Sequence, residues 1–244
     1  MVLTPRAYAA LVIDDAAGLL APSGPRRRVA PEDRFDASLA PVLEGVDWLA
    51  GALSTDSVND PLFYAHDLSL EITSYLYAAG AAHDSWREWS SLTSWGSALR
   101  GDVFEAAAYA VLGGDWEHLR AFPPPSGPQP PSRTVVWQLA LGSGAPLDTE
   151  ANPDELEKTW LSLLASIPLR EHERTEAALK TLVDFWTLED EQWDLFEPHG
   201  YPCFDPHVCA VVALAYRHGY RPRALTDDAR RFLDPGLALR LPEA

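Results

Sequence analysis

The residues with the clearest chemical potential lie close together near the C-terminus. Two histidines and two cysteines fall within eleven residues: His199, Cys203, His207 and Cys209. Zinc binds four such side chains when they converge in a tetrahedron. However, His207 and Cys209 are two positions apart on a predicted helix, which separates them by about 200° around its axis. The spacing therefore disfavours a metal site, and we expect Cys209 to be a buried, inert thiol.

The same cluster offers a thiol–imidazole pair, formed by Cys203 with His199 or His207. Such pairs act as nucleophiles when the imidazole takes the thiol proton. No known cysteine-enzyme signature surrounds them, and the chain lacks serine-hydrolase, phosphate-loop, zinc-protease and dinucleotide motifs. The sequence therefore shows no catalytic motif, and we predict no cofactor. A helical metal- or thiol-dependent enzyme that uses His199, Cys203 and His207 is the alternative.

An acidic segment over residues 184–197 is the most specific charge feature of the chain. Six of its fourteen residues are Asp or Glu, none is Lys or Arg, and four aromatic residues are interleaved with the acids. Acids steer a basic protein partner, and aromatic side chains supply buried contact area. The alternative is a solvated loop whose aromatic residues pack into the core. The predicted partner-binding residues are Glu189, Asp190, Glu191, Trp193, Asp194 and Glu197.

A tryptophan-rich helical pattern provides a third candidate site. Trp86, Trp89 and Trp95 follow one another at offsets of three and six residues. These side chains could line a pocket for a small molecule, which makes a ligand-binding module a second alternative. Helix–helix packing is the more common role of tryptophans at this spacing.

The overall charge limits the kinds of partner. The 244 residues include 36 acidic and 19 basic ones, for a formal net charge of −17. Nucleic acid and anionic membranes are disfavoured, because both require a basic surface. A basic protein partner is compatible with this charge, and so is an acidic surface that serves only solubility. We see no signal peptide and no membrane span, and expect a cytoplasmic protein with free thiols.

Helical signals recur along the chain, whereas no segment alternates strictly between apolar and polar residues. Four predicted helix starts combine a capping residue with a first-turn proline: Thr4-Pro5, Asp60-Pro61, Asn152-Pro153 and Asp205-Pro206. Residues 132–142 are ambiguous, because Thr134-Val135-Val136 favours a strand, but we assign them to a helix. The predicted fold is an all-α array of about 9–11 helices.

A proline-rich segment divides the helical array. Six of the nine residues over 123–131 are proline, which favours an extended connector. We therefore expect an N-terminal half over 1–122 and a C-terminal half over 132–244, packed as one compact unit.

The best-marked helix of the C-terminal half lies between Asp205 and Gly219. Asp205 can cap its start, Pro206 suits the first position, and Gly219 suits the left-handed residue past its end. Its residues are apolar around nearly the whole circumference, which is typical of a buried helix. We expect other helices to pack around it.

The C-terminal third resembles the immunity protein 49 family of bacterial polymorphic toxin systems. A helix with Leu179 and Leu182 ends in Phe185-Trp186, and an acidic segment follows. Next come a small-residue helix over 210–215 and a polar turn with Gly219. The elements over 95–111 are similar to that family's middle helices. The resemblance covers roughly residues 60–235, and its aromatic-Leu-Pro ending is matched only with an extra residue, in Phe232-Leu233-Asp234-Pro235.

The resemblance implies a cytoplasmic protein that binds and neutralises a cognate toxin and has no enzymatic activity. Nuclease toxins tend to be basic, and the acidic balance of this chain agrees with such a partner. The sequence does not indicate an oligomeric state.

Overall fold

The computed structural model describes residues 4–20, 44–78, 83–121, 130–141, 154–192 and 206–220. These ranges contain ten helices and no strand, which confirms the all-α prediction. None of these helices is long and apolar enough to cross a membrane. The helices are α1 (Pro5–Leu20), α2 (44–54), α3 (Pro61–Ala78), α4 (His83–Arg100), α5 (Val103–Gly113), α6 (Trp116–Ala121), α7 (Pro131–Leu141), α8 (Glu155–Leu169), α9 (His172–Gln192) and α10 (Pro206–Arg217).

The chain forms two compact units, Met1–Asp102 and Val103–Ala244. The sequence places the division at the proline-rich segment 123–131, most of which lies outside the described residues. The division falls earlier because α5 packs against α7 and α10, and α6 packs against α5. Both helices therefore belong to the second unit.

In the first unit, α3 packs against both α1 and α4. Its buried apolar residues recur at helical spacing, at Ala65, Leu68, Ile72 and Leu76. Helix α2 approaches α3 closely because Gly45 has no side chain: a Cβ there would lie 2.7 Å from Leu68 Cδ2. One glycine thus brings α2 against the middle of α3.

In the second unit, α10 packs against α5, α7 and α9. All nine of its residues from Val208 to Tyr216 are buried. Helix α5 is equally buried over Ala106–Gly113, and its run of alanines lets the two helices approach closely. This arrangement confirms the predicted central, buried helix.

Several helix ends follow the predicted chemistry. Asp60 accepts a hydrogen bond from the Phe63 N–H at 3.0 Å, as a capping residue should. Gly101 and Gly219 have positive φ angles of 85° and 89°, which glycine adopts without strain. Residues 132–141 are helical, which confirms that assignment.

Two predicted helix boundaries require correction. The cap of α8 is Asp154, whose carboxylate accepts from the Glu157 N–H at 2.8 Å, rather than Asn152-Pro153, which lies outside the described residues. Helix α9 does not end at Phe185-Trp186 but continues to Gln192. The first part of the acidic segment is therefore helical, because Thr, Leu, Glu and Gln residues continue the helix without a glycine or proline to stop it.

The burial of α10 can be tested with a matched pair of leucines. Leu214 in α10 is 2% exposed, whereas Leu169 at the end of α8 is 68% exposed. Leu214→Ala should lower the free energy of unfolding by about 2–5 kcal/mol, because it removes buried methyl groups and leaves a cavity. Leu169→Ala should change it by less than about 0.5 kcal/mol. Urea denaturation measures both; equal effects would contradict the central position of α10.

Candidate functional site

The acidic end of α9 contains three of the predicted partner-binding residues. Glu189, Asp190 and Glu191 lie in the last two turns of this helix, and its last turn contains no basic residue. One turn earlier, Asp184 forms an ion pair with Lys180. The carbonyl end of a helix carries a partial negative charge, so three further carboxylates there are electrostatically unfavourable.

The remaining predicted residues, Trp193, Asp194 and Glu197, lie outside the described residues. Their assignment to partner binding stays a prediction. Phe185, the first aromatic residue of the acidic segment, is partly exposed on α9 rather than packed fully into the core.

The second unit also has a small positively charged region. Arg217 and His218 follow each other at the end of α10, and Arg170 caps the end of α8. Burial lowers the pKa of His218, and the positive charges of Arg217 and Arg170 lower it further. Burial also lowers the pKa of Arg217. Since the Arg217 and Arg170 side chains are cationic, a basic partner is not expected to bind at this region.

The alternative based on cysteine and histidine is only partly covered by the structure. Cys209 is buried on α10, as predicted, whereas His199 and Cys203 lie outside the described residues. Within the described ranges, no three His, Cys, Asp or Glu side chains are placed to hold a metal ion. His207 begins the same helix as Cys209.

The tryptophans considered for a ligand pocket occupy α4. Trp86 and Trp89 are almost completely buried, and Trp95 is partly buried. The first two therefore contribute to the interior of the first unit. Their large rings provide much of the apolar area that α4 removes from water.

Between α3 and α4 lies a row of buried polar side chains, which we term the polar seam: His66, Ser69, Thr73, Thr93 and Ser97. The Thr73 and Thr93 hydroxyls lie 2.9 Å apart. The Thr73 hydroxyl also donates to the Ser69 carbonyl, and Thr93 donates to the Trp89 carbonyl. These bonds offset the cost of removing the hydroxyls from water.

Helix α1 joins the polar seam through one tyrosine. The Tyr8 hydroxyl donates to Ser69 Oγ at 3.0 Å, and Ser69 donates in turn to the His66 carbonyl at 2.8 Å. Gly96 makes room for this contact. A Cβ at Gly96 would lie 2.7 Å from His66 Cδ2 and would also collide with the Tyr8 hydroxyl.

The hydrogen bonds of His66 define its tautomer. Arg100 Nη1 lies 2.7 Å from His66 Nδ1, and a guanidinium can only donate, so Nδ1 accepts. In this arrangement Nε2 is the nitrogen that donates. That N–H points to Ser97 Oγ at 3.0 Å, and the Ser97 hydroxyl donates to the Thr93 carbonyl at 3.0 Å.

Arg100 also contacts the surface of the first unit. Its guanidinium carbon lies 5.3 Å from the centre of the Phe63 ring, within the range of a cation–π contact. The same guanidinium lies 3.8 Å from the Asp67 carboxylate. One side chain at the end of α4 thus holds three residues of α3, one of them buried.

An exposed aromatic cluster lies beside Arg100, formed by Trp48 of α2 with Phe63 and Tyr64 of α3. The Trp48 and Tyr64 rings meet edge-on with centres 4.6 Å apart, and the Phe63 and Tyr64 centres are 5.4 Å apart. Their exposures are 51%, 43% and 42% for Trp48, Phe63 and Tyr64. We refer to these three side chains as the aromatic surface. Three contiguous exposed rings form an apolar patch of the kind that proteins use for binding.

The chain matches no family model, no curated protein and no solved structure. The resemblance to the immunity protein 49 family therefore stays an expectation from the sequence.

Sequence reasoning did not identify the aromatic surface or the polar seam. Trp48, Phe63 and Tyr64 come from two helices, and their spacing within each helix resembles that of core residues. The dipeptide His66-Asp67 is common in sequences. Only the structure shows that His66 is buried and Asp67 is partly exposed, and that Arg100 contacts both side chains. The sequence does contain one signal for an acidic surface here, because residues 44–78 include no Lys or Arg.

A substitution at Gly96 tests the packing of the polar seam, and one at Gly51 is its control. The two should change the free energy of unfolding in opposite directions. Gly96→Ala should lower the free energy of unfolding by about 1–3 kcal/mol, because the new methyl group collides with Tyr8 and His66. Gly51→Ala in α2 meets no atom within 4 Å, so it should stabilise the chain by about 0.5–1 kcal/mol through higher helix propensity. Thermal and urea unfolding measure both; a neutral Gly96→Ala would contradict the packing described.

Proposed function

We propose that this protein binds a basic protein partner and neutralises it by direct contact. The observation that carries the proposal is the run of acidic residues at the end of α9. Glu189, Asp190 and Glu191 are consecutive there, and no basic residue lies in the last turn. A chain with 36 acidic and 19 basic residues attracts cationic proteins from a distance and speeds their encounter.

The position of these acids on a helix supports this function. Acidic side chains are unfavourable at a helix C-terminus, because the last carbonyl groups are already partly negative. Lys or Arg side chains of a partner would relieve this repulsion on binding. The cost of the arrangement in the free protein would thus be recovered in the complex.

The resemblance stated above suggests the identity of the partner. It implies a cognate bacterial toxin, met in the cytoplasm, and nuclease toxins are one suitable class because they present basic surfaces to nucleic acid. The immunity protein would act as a stoichiometric inhibitor. This role requires no cofactor and no reaction.

The genes that flank this one provide a direct test. We expect a flanking gene to encode a protein with a basic toxin domain, and co-expression with this protein should restore the growth that the toxin domain suppresses in bacteria. Failure to restore growth would contradict the proposal. Flanking genes that encode only biosynthetic enzymes would count against a toxin partner.

Charge reversal at the end of α9 should slow the association. A triple variant, Glu189→Lys with Asp190→Lys and Glu191→Lys, should reduce the association rate constant about tenfold or more at low salt, because steering depends on these charges. The variant should fold, since Lys side chains are favourable at a helix C-terminus. Stopped-flow or biolayer measurements with the toxin domain give the rate.

A control variant must change the net charge equally at other positions. Asp14→Lys, Glu88→Lys and Glu117→Lys replace three exposed acids on α1, α4 and α6. We expect this control to retain most of the association rate. Equal slowing in both triple variants would show that only net charge matters and that the end of α9 is not the contact.

A further inference from the structure

We infer that the aromatic surface, Trp48, Phe63 and Tyr64, is a docking surface for Arg or Lys side chains of a protein partner. The inference relies on the proposed function only for the partner being a basic protein. It concerns the first unit, whereas the predicted partner-binding residues lie on and after α9 in the second unit.

The first argument is the composition of the surface. Trp and Tyr are the residues most enriched among those that dominate binding energy at protein interfaces. Trp48 and Tyr64 are in edge-on contact with centres 4.6 Å apart, so each ring restricts the other before a partner arrives. Ordering these side chains therefore costs little on binding, which favours affinity.

The second argument is charge complementarity. Helices α2 and α3 contain no Lys or Arg. Glu44 lies one helical turn before Trp48, and Asp47 is adjacent to it; both are exposed. Asp67 of α3 is three residues from Tyr64, an offset that shares a helix face, and the capping residue Asp60 precedes Tyr64 by four residues. Four carboxylates thus lie within four residues of Trp48 or Tyr64 along the chain, and among the described residues Arg100 is the cation that contacts this surface.

The third argument is that the surface already holds one guanidinium. Arg100 lies over the Phe63 ring and beside the Asp67 carboxylate, so the chain itself shows how a cation fits between a ring and an acid here. Among the described residues, no cation lies over the Trp48 or Tyr64 ring. These two exposed rings, with acidic residues within four positions of each along the chain, offer a partner an aromatic face in an acidic part of the surface.

The same features disfavour other occupants. A nucleic acid or an anionic membrane would be repelled by the four carboxylates. A second copy of this acidic chain would bring the same charges against one another. A protein segment that presents guanidinium or ammonium groups satisfies both the rings and the acids.

The experiment uses a short synthetic peptide that alternates Arg and Gly, together with a matched peptide in which neutral citrulline replaces Arg. Isothermal titration calorimetry of the whole chain at constant ionic strength measures their affinities. We expect the Arg peptide to bind and the citrulline peptide to bind at least about tenfold more weakly, because the cation is lost. Equal binding of the two peptides would overturn the inference.

Substitutions that leave the net charge unchanged separate docking from general attraction. Trp48→Ala and Tyr64→Ala should each weaken the Arg peptide about fivefold, because each removes an aromatic face. Tyr64→Phe keeps the ring and should bind like the unaltered protein. Leu169→Ala removes an exposed apolar side chain from the second unit, outside the acidic segment, and should have no effect. Equal affinity in all of these variants would show that the peptide responds only to net charge and would overturn the inference.

Circular dichroism and the melting temperature confirm that each variant is folded, which is expected because the substituted side chains are partly exposed. The outcomes also separate this inference from the proposed function. If the toxin domain binds but Trp48→Ala has no effect on either ligand, the docking surface is refuted and the function stands. If no toxin is neutralised but the peptide results hold, the surface stands and the function is refuted.

Discussion

The contact between Arg100 and His66 joins the interior of the first unit to its surface. The Arg100 guanidinium donates to the buried imidazole, lies over the Phe63 ring and neighbours the Asp67 carboxylate. Because the imidazole must accept at Nδ1, its remaining N–H is directed into the polar seam towards Ser97. A chain of hydrogen bonds thus positions α4 on α3, and the same arginine positions an exposed aromatic residue. The aromatic surface is therefore supported by a directional network rather than by apolar packing alone.

The second unit is organised by a different constraint, the exclusion of water around α10. Nine consecutive buried residues leave no polar face on that helix, so α5, α7 and α9 must cover it. A polar contact in the same unit links α7 to α8. Ser132 donates from both its N–H and its hydroxyl to the Glu157 carboxylate, each at 2.6 Å. Because α9 packs on α10, the core also supports the helix whose last residues form the acidic end.

Local chemistry made much of the fold predictable. The apolar circumference of α10, the Asp60 cap and the glycines at 101 and 219 each determine backbone geometry within a few residues, so the pattern was sufficient. The extension of α9 was missed because aromatic residues suggested an end where no glycine or proline enforces one. The division after Asp102 was missed because it depends on which helices α5 contacts, a long-range property that the conspicuous prolines over 123–131 do not report.

The aromatic surface was harder to predict for the same reason. Its rings come from two helices and its supporting arginine from a third, so no single stretch of sequence contains the arrangement. Acidic composition indicates which charge a partner would carry, since charge acts at a distance and needs no exact geometry; that partner stays a prediction. Composition alone does not show which acidic residues contact a partner, so the assignment of Glu189, Asp190 and Glu191 stays a prediction.

The most direct measurement of the central claim is a calorimetric titration of the whole chain with the basic toxin domain that we propose a flanking gene encodes, at low and at high salt. Our account predicts a stoichiometric complex whose affinity falls as salt screens the opposite charges of the two proteins. A complex whose affinity does not change with salt, or the absence of any complex at low salt, would contradict it.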